Sequence, residues 1–486
     1  MPTGLPATQR HELSRAIGLY LIGWLILSWP WLSGQFTVPW DAKAHFYPQF
    51  AMLARVLQNG NIPYWNPYIF AGTPQISDPQ SLIFSLPHFL VALFNHNPSL
   101  IVFDAITFVM LGLGGVAILA YFHDKRWHLL GGLVAALAFS HGGSAAWRIQ
   151  HTGQVLSLCW FVITFWILNR ALRHNSLMAG ACSGFFAAMM VLGRDQIALL
   201  GLYFLIIKVL FHYALSEDRK TAFRKSLAPL SAGAVVGAVI VTLPLLMTWL
   251  FAESSNRPMI DYEGAGRGSL HPAALMTLLV SNLYGVDGPL ADYWGPPSKV
   301  WGNLDLYIAR NMSALYMGIL PVMAIVMIGV GRKALASRAA WPLITCFVLS
   351  VLYALGRYSP LFDLFYHLPG SDLFRRPADA TFYIGVFGAL LGGYCLSRAL
   401  SGTLQPQQTL LFKASMLFML VWMLGAIALA FDKGQWQVAH EPVLIACLFM
   451  LGGQILTARA IERRGHPVVM IAFVGLFMLA DLGVNN

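Results

Sequence analysis

Charge is what this sequence has least of. Charged residues make up 11% of the chain, against roughly 25% in a soluble domain, and that shortage excludes a soluble globular protein. The sequence also lacks the short alternating segments of a membrane β-barrel. Cysteine is scarce. Cys159, Cys182, Cys346, Cys395 and Cys447 all fall inside apolar runs, with no metal spacing and no disulfide framework, so they read as inert packing residues. Neither a Walker phosphate loop nor a His-Glu-x-x-His motif occurs, which argues against ATP-driven transport and zinc proteolysis. No internal repeat is evident, and no segment is long and polar enough to form a soluble domain.

What the chain has instead is apolar length. It is 57% hydrophobic, with a mean hydropathy of +0.63. Apolar runs of about 18 to 24 residues recur, long enough to cross the hydrocarbon core as helices. The expected fold class is therefore an all-α polytopic membrane protein. About 13 spans are read at 15–33, 99–122, 129–146, 153–170, 177–193, 197–214, 227–251, 312–330, 339–356, 379–398, 409–430, 441–458 and 467–484. The first reads as an uncleaved anchor, because its run is long, Trp-rich and followed by further spans. The segment 82–94 is apolar but short and holds Pro87, which suits a re-entrant or interfacial piece.

Lysine and arginine set the orientation. With the N-terminus inside, the inside segments carry Arg10, Arg15, Lys125, Arg126, Arg170, Arg173, Arg219, Lys220, Arg224, Lys225, Arg332, Lys333, Arg338, Arg398, Arg459, Arg463 and Arg464. This bias explains much of the net charge of +10, so no nucleic-acid partner is expected. Of the 21 acids, only Glu12, Asp124, Glu217, Asp218 and Glu462 fall inside. The rest lie outside or in outer half-spans, and polar chemistry is expected there. Span centres look nearly free of charge, with Asp104 the main exception.

The chain reads as a single transmembrane domain, 1–486, with outside loops at 34–98, 252–311 and 357–378. In the first loop, Gln49 to Leu57 reads as a short amphipathic helix stopped by Asn59-Gly60. The second loop holds Arg257, Asp261, Glu263, Arg267, His271, Asp287, Asp292, Trp294, Lys299, Trp301, Asp305 and Arg310. Such a loop suits either a polar binding surface or ordinary solvation.

Asp41 follows Trp40 directly after the first span. A carboxylate there can take a proton from a hydroxyl or ligate a divalent cation beside a phosphate; it can also simply cap a surface helix. His45, four residues on, shares its face if the stretch is helical. Asp78 sits in Ser-Asp-Pro-Gln, a turn sequence in which an Asx-turn competes with catalysis. Arg194 and Asp195 lie at an outer junction of two spans, so they are expected to be paired or wetted. Arg148 and His151 at the preceding outer turn are further candidates. Arg357, Arg375 and Arg376 frame the third outside loop, against the orientation trend. Guanidinium groups there suit a lipid phosphate, or snorkelling to headgroups.

The run from Asp41 through Trp65-Asn66-Pro67, Ala71-Gly72-Thr73-Pro74 and Asp78-Pro79-Gln80-Ser81 resembles the YfhO-like family of bacterial membrane proteins. The stretches Gly356-Arg357-Tyr358-Ser359-Pro360 and Phe374-Arg375-Arg376-Pro377-Ala378 are similar to a second landmark of that family. The resemblance covers most of the chain. It implies a GT-C-like bundle and an inverting glycosyltransferase in the bacterial inner membrane. The sugar would pass from a polyprenyl-phosphate donor to a glycan, lipid-linked polymer or protein acceptor on the outer face. Asp41 matches the family's catalytic position. His45, Asp78 and Asp195 would assist it or hold a metal. Arg375, Arg376, Arg194 and Arg357 would bind donor phosphate, and Trp40, Trp65 and Tyr68 would contact sugar or acceptor. No Asp-x-Asp pair is present, which leaves a divalent metal ion open. Family members often carry further outside sequence after the last matching spans, so acceptor-binding parts beyond Asn486 are an open expectation. The competing classes are a transporter or flippase of lipid-linked sugars, which needs polar residues deep in the bundle, and a non-catalytic membrane scaffold.

Overall fold

The computed structural model describes residues 7–69, 71–255, 260–302, 310–404, 409–462 and 467–486. Arg257 and Asp305 of the second loop, and Arg463 and Arg464 of an inside loop, lie outside the described residues. Among the described residues the chain is helical, with no β-strand and one isolated antiparallel bridge between Asn66 and Thr73. Ten of these helices are long and apolar enough to cross a membrane, from His11–Leu32 to Val468–Asn485. The other three expected spans fall on shorter apolar helices, Leu177–Val191, Ile319–Val330 and Trp341–Ala354.

Local chemistry explains the short ones. The expected span 312–330 begins with the end of the 3-10 turn Arg310–Ser313 and five residues outside any helix, and its α-helix starts only at Ile319, after Gly318 at φ +94°. The bared Ile319 amide is then met by a side chain, donating to Asp481 Oδ2 at 2.7 Å. The first-loop helix is found as Tyr47–Gln58, with Asn59 at its C-cap and Gly60 at φ +69°. The segment 82–94 yields the nine-residue helix Leu86–Phe94. Gln58 Nε2 ties the two together by donating to the carbonyls of Ala92 and Leu93 at 3.1 and 2.6 Å.

The helices gather into two compact units. One comprises Met1–Leu27, Ile118–Arg148 and Ile260–Asn486; the other comprises Ser28–Ala117 and Ile149–Met259. Each brings together helix ends from distant parts of the chain. In the first unit Trp147 Nε1 donates to Asn486 Oδ1 at 2.8 Å, and Asn311 Nδ2 donates to the Trp147 carbonyl at 2.9 Å. In the second, Arg194 reaches both the first loop and Thr248.

Glycine sets the closest helix crossings, as it does where lipid removes the hydrophobic drive between helices. In the second unit a Cβ on Gly184 would fall on the Gly233 carbonyl oxygen, and one on Gly180 would fall on the backbone of Pro229. In the first unit Gly131 and Gly393 each face the other's carbonyl oxygen.

Buried charge inside the spans is more common than the sequence suggested. Asp104 is joined by Lys208 and Asp481, all buried. The reason is local. Asp104 Oδ2 accepts from the Val38 amide at 2.9 Å, Asp481 accepts from Tyr316 and Ile319, and Lys208 Nζ lies 3.6 Å from the Phe165 ring centroid.

Replacing Gly184 with Leu should therefore overpack backbone against backbone, at a cost of about 1–3 kcal/mol or more. Gly475→Leu meets nothing within 4 Å and serves as the control. The measurement is thermal melting in detergent. A Gly184→Leu protein that melts with the parent would mean that the helices do not approach so closely.

Candidate functional site

Asn66 organises the first outside loop. Its backbone exchanges hydrogen bonds with Thr73 at 2.8 and 2.9 Å, and its Oδ1 accepts from the Tyr68 amide at 3.0 Å. Nδ2 donates to Gln75 Oε1 at 3.1 Å, Gln75 Nε2 donates to Gln49 Oε1 at 3.0 Å, and Gln49 Nε2 lies 2.9 Å from His45 Nε2. With the Gln49 oxygen taken, its NH₂ is the donor and His45 Nε2 accepts. All three amides are buried, so this relay is shielded from water. Gly72, at φ +116°, has no room for a side chain, because the Trp65 ring lies where Cβ would stand. The Trp-Asn-Pro and Ala-Gly-Thr-Pro runs are thus two sides of one turn. It leaves Trp65 and Tyr68 exposed, as Trp40 is.

Asp41 enters a π-helical turn, Ala42–Phe46, that runs directly into Tyr47–Gln58. Its backbone is helical and its side chain makes no capping hydrogen bond, so the capping reading does not hold. The carboxylate turns instead to His151: Oδ2 lies 3.3 Å from Nδ1, with the Asp41 side chain 57% and the His151 side chain 17% exposed. His45, expected to share the face of Asp41, is engaged by Gln49. His151 is therefore the imidazole beside Asp41. Sequence separation hid this, and only the proximity of both residues to expected outer span ends hinted at it.

Arg194 works as a clamp. It holds φ +52°, and its guanidinium donates to the Asp78 carbonyl at 2.7 Å and to Thr248 Oγ1 at 2.8 Å, with longer contacts to the carbonyls of Ile76 and Ser77. Its Cζ lies 5.3 Å from the Phe84 ring centroid. Burial draws its pKa down to about 10, against the opposing influence of the Asp78 charge, so it remains charged at neutral pH. Asp78 forms the Asx-turn, with Oδ1 accepting from the Gln80 amide at 2.9 Å. Asp195 caps the helix Gln196–Ala214 through the Ala198 amide and accepts from Ser157 Oγ, each at 2.8 Å.

The remaining arginines lie in the first unit. Arg376 takes φ +66°, and its amide donates to the Arg267 carbonyl at 2.9 Å, while the Ala378 amide donates to Gly268. The second outside loop thus straps down the Arg375-Arg376-Pro377 run. Arg375 is exposed and Arg376 partly so. Arg357 is exposed and lowers the pKa of His271, an effect second to burial. Arg148, a further candidate from the sequence, is completely buried, donates to Asp379 Oδ1 at 2.6 Å, and lies 4.6 Å from the Phe382 ring centroid.

For a divalent metal the donor sets are small. Among the described residues no group of three or more His, Cys, Asp or Glu could hold an ion. Asp41 and His151 supply a pair, and a Mg²⁺ ion commonly takes one or two protein carboxylates and fills its remaining positions with substrate phosphate and water.

The helices define a multi-pass α-helical membrane protein. No protein-family model matches the chain, and no curated protein matches it either.

Arg194→Ala should release the 76–81 turn. Hydrogen bonds from a charged donor contribute about 1.5–3 kcal/mol each, so amide exchange there should rise by about 10- to 100-fold while the helix Leu177–Val191 stays protected. Exchange mass spectrometry in detergent reads both, and unchanged protection at 76–81 would contradict the clamp.

Proposed function

We propose that the chain is a GT-C-type membrane glycosyltransferase, similar to the YfhO-like family. It moves a sugar from a polyprenyl-phosphate donor to a cell-envelope glycan, lipid-linked polymer or protein on the outer face of a bacterial inner membrane. The observation that carries this reading is the Asp41–His151 pair, 3.3 Å apart, on a loop that also exposes the rings of Trp40, Trp65 and Tyr68. Aromatic faces suit the apolar faces of sugar rings. A carboxylate oriented by an imidazole suits proton removal from a hydroxyl.

The proposed reaction is a single displacement. The acceptor oxygen attacks the anomeric carbon from the side opposite the phosphate, and a new carbon–oxygen bond forms as the bond to phosphate oxygen breaks. The electron pair leaves with the polyprenyl phosphate, and the configuration inverts. The acceptor proton passes to Asp41. In this reading the His151 imidazole, with Nδ1 3.3 Å from Oδ2, steadies the carboxylate that serves as the base. Arg375 and Arg376 belong to the first unit, where their charge and exposure suit a lipid phosphate. Arg194 acts differently in this reading, because its donors hold loop carbonyls.

Asp41→Asn keeps the size and removes the base. General-base assistance amounts to roughly 10² to 10⁴ in rate, so transfer should fall by about that much with membrane insertion intact. His151→Gln should lower turnover less, since it removes only the orienting group. Near-normal transfer by a well-inserted Asp41→Asn protein would overturn the assignment.

The orientation has its own test. Single cysteines at Gln35 and Lys299 should react with an impermeant maleimide in intact cells. A cysteine at Arg224 should react only after permeabilisation. The reverse pattern would place the proposed site in the cytoplasm and remove its access to an outer-leaflet donor.

A further inference from the structure

A second cluster lies within the first unit and draws on four separate chain segments. The His271 ring packs edge-on against Trp301 at 4.9 Å and against Tyr358 at 5.1 Å between centroids. Lys433 Nζ lies 4.8 Å from the Trp301 centroid, and Arg357 Cζ lies 5.4 Å from the Tyr358 centroid. The result is a row of three rings with a cation at each end. The row is built in. Trp301 Nε1 donates to the carbonyl of buried Trp294 at 2.7 Å, and His271 Nδ1 accepts from the Ala273 amide at 3.2 Å. With Nδ1 accepting, the ring proton of the neutral imidazole sits on Nε2, as a donor. Arg357 and Tyr358 are exposed, while His271, Trp301 and Lys433 are half-buried. Asp432, 3.6 Å from Lys433, adds an exposed acceptor.

Packing alone does not call for this composition. The Arg357 and Tyr358 side chains stay exposed, and a solvated loop would not hold His271 in contact with two other rings. Rings offer faces and edges to the C–H side of a pyranose, the imidazole N–H and Asp432 suit its hydroxyls, and the guanidinium and ammonium suit an anion. We propose that the row His271–Trp301–Tyr358, flanked by Arg357 and Lys433, binds a saccharide that carries a phosphate or carboxylate. The site uses residues of the first unit only and does not depend on any chemistry at Asp41.

The test uses the full chain in nanodiscs of zwitterionic lipid. Glucose 1-phosphate, glucuronate, methyl glucoside and inorganic phosphate are titrated by calorimetry. Glucose 1-phosphate or glucuronate should bind saturably, and more tightly than methyl glucoside or inorganic phosphate. Tyr358→Ala should weaken binding about fivefold, and Arg357→Gln and Lys433→Gln should weaken it about two- to fivefold each, with thermal melting unchanged. Any of these results would overturn the proposal: no saturable binding of either charged sugar; inorganic phosphate binding as tightly as the sugar phosphate, which leaves the rings without a role; methyl glucoside binding equally, which does the same for the cations; or parent-like affinity in all three variants. Anionic lipid distinguishes the remaining source of phosphate. If phosphatidylglycerol in the nanodisc abolishes sugar binding, the row is a headgroup clamp and the proposal fails.

Discussion

A backbone group that loses its helical partner inside a membrane has no water to turn to. At several places where this chain breaks a helix or enters one late, an acid is there. Asp481 accepts from the Tyr316 hydroxyl at 2.5 Å, the Ile319 amide at 2.7 Å and Asn485 Nδ2 at 3.1 Å. Asp104 takes the Val38 amide, Asp195 caps its own helix, and Asp379 holds the buried Arg148. An unpartnered buried polar group costs several kcal/mol, and removing one member of a buried ion pair costs about 3–5 kcal/mol. These acids are therefore part of the scaffold. Their positions mark where helices start late and loops fold back.

That division of labour narrows the search for chemistry. In the second unit, the carboxylates of Asp78 and Asp195 accept backbone amides close by in sequence. The Asp41 carboxylate makes no capping bond, is more than half exposed, and meets an imidazole from a distant segment. The loop that carries it is shaped from within. The Asn66–Gln75–Gln49 relay fixes the turn, and Arg194 fastens its far end. A loop so rich in proline and asparagine would otherwise be slack. Its rigidity is what would let exposed tryptophans serve as a surface, since ordering them on binding would otherwise consume affinity.

The first unit solves a similar problem with backbone pairing. The second outside loop runs beside the third through the Arg267–Arg376 and Gly268–Ala378 hydrogen bonds. Arg376 is held in the left-handed region by this pairing, opposite Gly268 at φ +74°. The same two loops supply His271, Trp301 and Tyr358 to the ring row. Separate polar loops thus become one surface because their backbones are tied first.

The sequence by itself determined the class of the protein. Run length and charge shortage demand membrane helices, because a helix is the only way such a run can satisfy its backbone in lipid. Among the described residues ten helices are long and apolar enough to cross a membrane, while three of the thirteen expected spans meet only shorter apolar helices. Local punctuation was legible as well: Asn59-Gly60 ends its helix, and Ser-Asp-Pro-Gln makes its Asx-turn. These outcomes depend on a few neighbouring residues. The tertiary structure alone decided the partners. It sent Asp41 to His151 instead of His45, turned Arg194 onto loop carbonyls, buried Arg148 against Asp379, and aligned His271, Trp301 and Tyr358. Each of these depends on which helix ends and loops meet, and glycine contacts such as Gly184 on Gly233 set how closely the helices pack. No local pattern encodes such long-range meetings, because a side chain's reach is a few ångströms while its partner lies up to hundreds of residues away along the chain.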